Sequence, residues 1–229
     1  NYLSTDTLEY FNVAPVRPEE VKTIEAGYRT TLFNKLFIDM SAYYSIYKNF
    51  IGYKLGADID VIPNQPLPIN VNNIYRVATN SEDIVTTRGF TIGLNYFFAR
   101  FYTVSGNWSW NELDRMGSED PLIPAFNTPR NKFNLGLSGS KIDNFIGKDW
   151  GFNINYKWVQ GFLFEGSPQF TGRITDYGLV DAQISKYFTE TKTTLKVGCS
   201  NIFNNEHYEV YGGPLIGRLL YLQLLVELN

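Results

Sequence analysis

Apolar and polar residues alternate with a period of two along this chain, and the pattern recurs about nine times. Between Thr87 and Phe97, Phe90, Ile92, Leu94 and Tyr96 take the even positions, and Thr87, Gly89, Thr91, Gly93 and Asn95 the odd ones. Strand geometry sends these two sets to opposite faces of a sheet. From Tyr102 to Asn111, Val104, Trp108 and Trp110 oppose Thr103, Ser105, Asn107, Ser109 and Asn111. Ile38 to Ile46, Phe133 to Ser138, Phe152 to Trp158, Val180 to Ser185 and Leu195 to Ser200 read the same way. So does the run carrying Leu220, Leu222, Leu224, Val226 and Leu228. Val21 to Thr31 is a less regular first strand, with Ile24, Ala26 and Tyr28 opposing Glu25, Gly27 and Arg29. No apolar i, i+3, i+4, i+7 pattern persists, so the expected fold is all-β, an antiparallel meander of about nine strands.

The make-up of the two faces places that meander in a membrane. The polar face is Asn, Ser, Gly, Gln and Asp with scattered charge, which suits a crowded hydrated lumen better than a soluble surface rich in Lys and Glu. The apolar face is aromatic-bearing and almost free of charge, as lipid demands, since charge at the bilayer midplane costs roughly 2–4 kcal/mol. The connections alternate in length. Those at Leu32–Leu36, Phe98–Phe101 and Phe188–Thr191 are short, and Gly139–Gly151 falls in the same series. Those at Lys48–Asp83, Glu112–Asn131, Val159–Asp176 and Ile202–Gly217 are long. Outer-membrane barrels have short periplasmic turns and long extracellular loops. Phe33, Phe97, Phe98, Phe101, Tyr102, Tyr187 and Phe188 cluster at the short turns, where an aromatic girdle belongs.

Composition adds little to this and excludes more. Of 229 residues, 16% are aromatic, and mean hydropathy is −0.21, which a barrel tolerates because only alternate residues meet lipid. No run approaches the ~18 apolar residues of a transmembrane helix. A net charge of −3 with no basic run gives no nucleic-acid surface. The start at Asn1 shows no Met and no leader pattern, and reads as the middle of a longer chain.

Candidate chemistry is sparse. His207 is the single histidine, in the last long loop beside Asn204, Asn205 and Glu206. No serine is pinned to it as a hydrolase needs, and one His with one Glu is a poor metal set, so it reads as a solvated loop residue. Cys199, the single cysteine, lies on the apolar face beside Leu195 and Val197 and reads as a packing residue. Gly212, Gly213 and Pro214 lack the lysine and helix of a phosphate loop and read as a tight turn. Pro63, Pro66 and Pro68 break the longest loop and argue against strand there. Asp114, Arg115, Glu119 and Asp120 form a mixed-charge loop, a solvated surface or a wall of a substrate entrance. The expectation is therefore no catalytic, cofactor or metal residue and no enzyme, with substrate contacts unassigned.

Several segments resemble the C-terminal half of TonB-dependent outer-membrane receptors, especially those of Bacteroidetes. They are PEEVKTIEAGYR from Pro18 to Arg29, RGFTIGL from Arg88 to Leu94, and FNTP from Phe126 followed by KFNLG from Lys132. Later come LVDA from Leu179, LKVG from Leu195, SNIFN from Ser200 with Tyr208, and Gly217, Arg218 and Tyr221 before the last strand. Thr91 stands where the family commonly has Glu. The resemblance implies a barrel of about 22 strands with a plugged lumen, located in the cell outer membrane. Residues 1–229 would be its C-terminal portion, with the plug, the TonB box and about thirteen earlier strands outside them. It further implies active uptake, driven by TonB, of a scarce ligand: an iron chelate, cobalamin, or a glycan or peptide fragment. The partners implied are outer-membrane lipid, the ligand at the long loops, and the TonB complex through the missing N-terminal part. Two rival readings are a complete small barrel acting as porin or anchor, and a soluble β-sandwich binding module.

Overall fold

The computed structural model describes residues 14–61, 69–114, 126–144, 147–165 and 171–227. No helix occurs among them. Thirteen strands follow in chain order. They are β1 (Glu20–Leu32), β2 (Leu36–Lys48), β3 (Ile51–Val61), β4 (Ile69–Asn80), β5 (Val85–Ala99), β6 (Tyr102–Asp114) and β7 (Asn131–Asn144). Then come β8 (Gly147–Val159), β9 (Phe162–Glu165), β10 (Thr171–Ile174), β11 (Tyr177–Phe188), β12 (Thr193–Ser200) and β13 (Leu219–Val226). Nine of them form one sheet in the order β1-β2-β5-β6-β7-β8-β11-β12-β13. These nine are the strands the alternation predicts. The other four make two local hairpins, β3–β4 and β9–β10.

Both hairpins correct the sequence reading, which treated 48–83 and 159–176 as loops. The residues of β3 alternate strictly, Ile51, Tyr53, Leu55, Ala57 and Ile59 against Gly52, Lys54, Gly56, Asp58 and Asp60. Pro63, Pro66 and Pro68 follow directly on that alternation and mask it as a strand signal. Pro63, Pro66 and Pro68 themselves lie outside the described residues, between the two strands. The β3–β4 ladder shifts register at Asp58/Ile59, and such a bulge blurs the alternation downstream. The Gly139–Gly151 link is shorter than the sequence implied, because β7 runs on to Asn144 and β8 starts at Gly147. It therefore belongs with the short turns.

The described residues fall into two compact units. One comprises 14–23, 45–61, 69–86 and Asp114. In it Asn80 is a hub. Its Oδ1 accepts from Arg17 N (2.6 Å), and its Nδ2 donates to Arg17 O (2.9 Å) and Asn49 O (2.6 Å). Glu19 Oε1 accepts from Ile51 N (2.7 Å).

The other unit comprises 24–44, 87–113, 126–144, 147–165 and 171–227. Its register turns the one-dimensional alternation into two continuous surfaces. Val104, Leu137, Ile154, Ala182, Cys199 and Leu220 align across six strands. One residue along, Thr103, Ser138, Asn153, Gln183, Gly198 and Tyr221 align on the opposite face. Shifting any strand by one residue would put polar groups in the apolar row, so patterning fixes the register.

Large rings lie over glycines on both faces. A Cβ added to Gly139 or Gly178 would meet the ring of Phe152 or Tyr156 on the apolar face. On the polar face, one added to Gly89 would meet Tyr43, and one added to Gly198 would meet Tyr221. The glycines let these rings lie flat against the sheet and cross to a further strand. Tyr43 OH donates to Asn111 Oδ1 (3.1 Å) and Tyr221 OH to Gln183 Oε1 (3.0 Å).

At the short-turn end Phe98 stacks on Tyr96 and Tyr102, with centroids 6.4 and 5.7 Å apart. Tyr102 meets Phe152 at 6.2 Å. Lys186 places its ammonium over Trp150 and Phe188. Phe33 and Asn34 hold φ of 52° and 55° in the β1–β2 turn, and Phe33 is 90% exposed. Aromatic rings with a snorkelling lysine are what a membrane interface favours.

Candidate functional site: the polar wall and its outer rim

The polar wall is built by strand alternation and is dominated by amides. Asn95, Asn107, Asn134 and Asn155 share a recess of about 310 Å³ with Phe37, Asp39 and Ser105. Asn134 Nδ2 donates to Asn107 Oδ1 (2.9 Å). Gly93 and Gly136 line the same recess, where an added side chain at Gly136 would meet Ser105 Oγ. Arg29 donates through Nε (3.1 Å) and Nη2 (2.7 Å) to Asp39 Oδ2. A wall of this kind offers donors and acceptors in equal measure and little fixed charge. It can recognise a polar ligand, and among the described residues that line it there is no nucleophile–base pair.

At the long-loop end a compact network ties β11, β12 and β13 together. Asn201 is buried, with φ of 52°. Asparagine tolerates that left-handed geometry better than most residues. Its Oδ1 accepts from Asn205 N (2.8 Å), its Nδ2 donates to Asn205 O (3.0 Å), and its own N–H donates to Asp181 Oδ1 (2.8 Å). Asn205 Nδ2 donates to Gly178 O (2.9 Å), and Asn204 Oδ1 accepts from Arg218 N (2.8 Å). The SNIFN motif is thus a structural clasp. Asn127 of the FNTP motif plays a similar part. Its side chain exchanges hydrogen bonds with the backbone of Glu165 (2.8 and 3.0 Å).

His207 departs from the sequence reading. It is not solvated: it is 5% exposed, and its ring lies 4.2 Å from that of Tyr177. Its backbone bridges Ile216 in both directions, and Nδ1 lies 3.1 Å from Asn205 O. The loop folds back onto the start of β11, where Val159, Ile174 and Tyr177 form a small core. A single loop residue carries no periodic signal, so the sequence could not show this burial. Glu209, not Glu206, is its acidic neighbour, with Oε1 4.0 Å from Nε2. Among the described residues Nε2 has no hydrogen-bond partner.

Cys199 lies in the apolar row between Ala182 and Leu220. Gly212 has φ of 76°, and Gly213 N donates to Val210 O (3.1 Å), which makes a tight turn just before Pro214. Asp114 ends β6, while Arg115, Glu119 and Asp120 lie outside the described residues. Among the described residues, no group of three or more His, Cys, Asp or Glu is placed to hold a metal ion.

The family model for the TonB dependent receptor-like beta-barrel matches residues 2–202. The chain belongs to that family. Its members are outer-membrane receptors and transporters, so the protein is an outer-membrane barrel component and not an enzyme. No curated protein sequence matches it. Among solved structures it resembles the copper transporter OprC, with 14% identity and a TM-score of 0.68 over 92% of this chain and 31% of that one. It also resembles the FrpB iron transporter of Neisseria meningitidis (F3-3 variant), with 14% identity and a TM-score of 0.63 over 93% and 32%. A third likeness is to the ferripyoverdine receptor of the outer membrane of Pseudomonas aeruginosa, with 16% identity and a TM-score of 0.58 over 91% and 27%. At these identities the likeness shows the shared barrel fold. The chain spans about a third of the length of these structures.

Proposed function

We propose that residues 1–229 form the C-terminal wall of an outer-membrane active transporter that imports a scarce ligand with energy delivered through TonB. The observation that carries this reading is the nine-stranded sheet with one apolar and one amide-rich face and its long connections at a single end. Lipid requires every strand edge to be paired, and the order places β1 and β13 at the two ends. In this reading strands from outside these residues complete a barrel of about 22, whose plug fills the lumen. The plug and the TonB-contacting segment then lie in the N-terminal part of the receptor. The ligand classes to be tested are an iron chelate, cobalamin, and a glycan or peptide fragment; a copper and an iron transporter stand among the similar structures.

Cells lacking the gene, cells lacking TonB, and their parent separate the readings. Uptake of radiolabelled ferric chelates, cobalamin, and fluorescent glycans and peptides is measured in each. Loss of uptake of one ligand class in both mutants is the expected result. Unchanged uptake of all classes, with passive entry of small solutes reduced in the gene deletion alone, would show the porin instead. Asn107→Leu with Asn134→Leu should lower uptake without lowering the amount of folded receptor.

A further inference from the structure

The recess in the polar wall is built from two successive cross-strand rows. Asn107 faces Asn134 in one, and Ser105, Gly136 and Asn155 align in the next. Asn134 Nδ2 donates to Asn107 Oδ1 (2.9 Å), which leaves the Asn107 Nδ2 hydrogens and the Asn134 carbonyl uncommitted. The side chains of Asn95, Asn155 and Ser105 have no hydrogen-bond partner among the described residues. Fixed charge is balanced around them. Asp39, the one charged residue among those that line the recess, takes both Nε and Nη2 of Arg29 on Oδ2. Lys157, next in the Asn107–Asn134 row, has its ammonium 3.9 Å from Glu209 Oε1.

These groups select by what they offer and by what they lack. Each amide presents a carbonyl beside an NH2, and adjacent ring hydroxyls, each both donor and acceptor, match such a pair. An apolar ligand would strand the amides without partners. An anionic one would bring a charge to a wall whose nearest guanidinium is already engaged by Asp39. Phe37 adds an apolar ring surface at the side of the recess, suited to the C–H face of a sugar. At about 310 Å³ the recess is at the lower end of small-molecule sites, so it seats one unit of a longer ligand.

We infer that the recess binds one sugar unit of a neutral oligosaccharide, with its hydroxyls on the amides of Asn95, Asn107, Asn134 and Asn155 and its C–H face toward Phe37. The inference rests on the transporter reading, since it takes the polar wall to face the ligand's path. It narrows that reading to one substrate class.

The test is calorimetric titration of the complete receptor in detergent, without TonB, after folding is checked by heat-modifiable gel migration. The probes are hexasaccharides of glucose, mannose and galactose, their uronic-acid counterparts, ferrichrome and ferric enterobactin. A neutral hexasaccharide should bind, its acidic counterpart roughly tenfold more weakly or worse, and added salt should leave the neutral affinity unchanged. N107A/N134A should weaken binding by about tenfold or more. An added Cβ at Gly93 would sit 3.7 Å from Asp39 O, an ordinary contact, so G93L should fold, fill the recess and weaken binding several-fold. N95K should turn the preference toward the acidic counterpart, a change that a merely structural asparagine would not produce. Binding of a ferric chelate with no neutral hexasaccharide bound would overturn the inference, as would equal affinity for neutral and acidic probes or unchanged binding in N107A/N134A. Should that double variant fail to fold, G93L and N95K decide the matter. Normal binding with equal uptake in cells lacking TonB would sink the transport reading and leave the sugar site standing.

Discussion

Ile154 and Asn153 are neighbours on β8, yet they do different work. Ile154 belongs to the apolar row, and its surroundings need only be hydrophobic and free of charge. Asn153 belongs to the polar wall, where each group must find a donor, an acceptor or water. The apolar row tolerates exchange within a chemical class, and even Cys199 serves in it. The polar wall works by specific geometry: Tyr43 crosses Gly89 to reach Asn111, and Asn134 meets Asn107. Lipid imposes a uniform demand, whereas a recognition surface imposes a local one.

That contrast can be tested by substitution in the folded receptor, with unfolding followed in detergent micelles or bilayers. The largest effect is expected at Ile154→Arg, which should cost roughly 2–4 kcal/mol, with Asn153→Arg near neutral. Equal losses at both sites would break the assignment of faces. Asn201→Ala should come next, at about 2–3 kcal/mol, because the change removes the side-chain bonds to Asn205 and leaves a left-handed residue. Asn201→Gly should recover part of it, since glycine adopts that φ freely. Gly89→Ala should cost about 1–3 kcal/mol by displacing the Tyr43 ring, and Tyr43→Ala should suppress that penalty. Arg29→Gln is expected at the bottom, under ~1 kcal/mol, because the pair with Asp39 is solvent-exposed. A large loss there would mean that the polar wall is drier than it looks.

Much of the strand content could be read in advance because period-two alternation is a local property. Residues 87–97 and 102–111 reveal their faces without help from elsewhere. The β3–β4 hairpin was equally visible in Ile51 to Asp60, but three prolines and a bulge concealed it. The burial of His207 and the recess shared by Asn95, Asn107, Asn134 and Asn155 were beyond reach for another reason. They depend on residues from separate segments meeting, and no spacing in one segment encodes that. The SNIFN motif lies between these cases: its order marked a family, while its clasp around Asp181 and Gly178 appeared only in three dimensions.

The sequence by itself determined which residues share the apolar face, how many strands share the main sheet and at which end the long connections gather. Each follows from alternation, and an apolar row in the wrong place is costly everywhere along it. Only the tertiary structure decided how those rows are joined across the strands. It also decided which loop residues are buried, where glycine makes room for a tyrosine, and where four asparagines come to share one recess. Those outcomes depend on pairwise contacts between distant segments, each worth about 1 kcal/mol, and they leave no periodic trace in the chain.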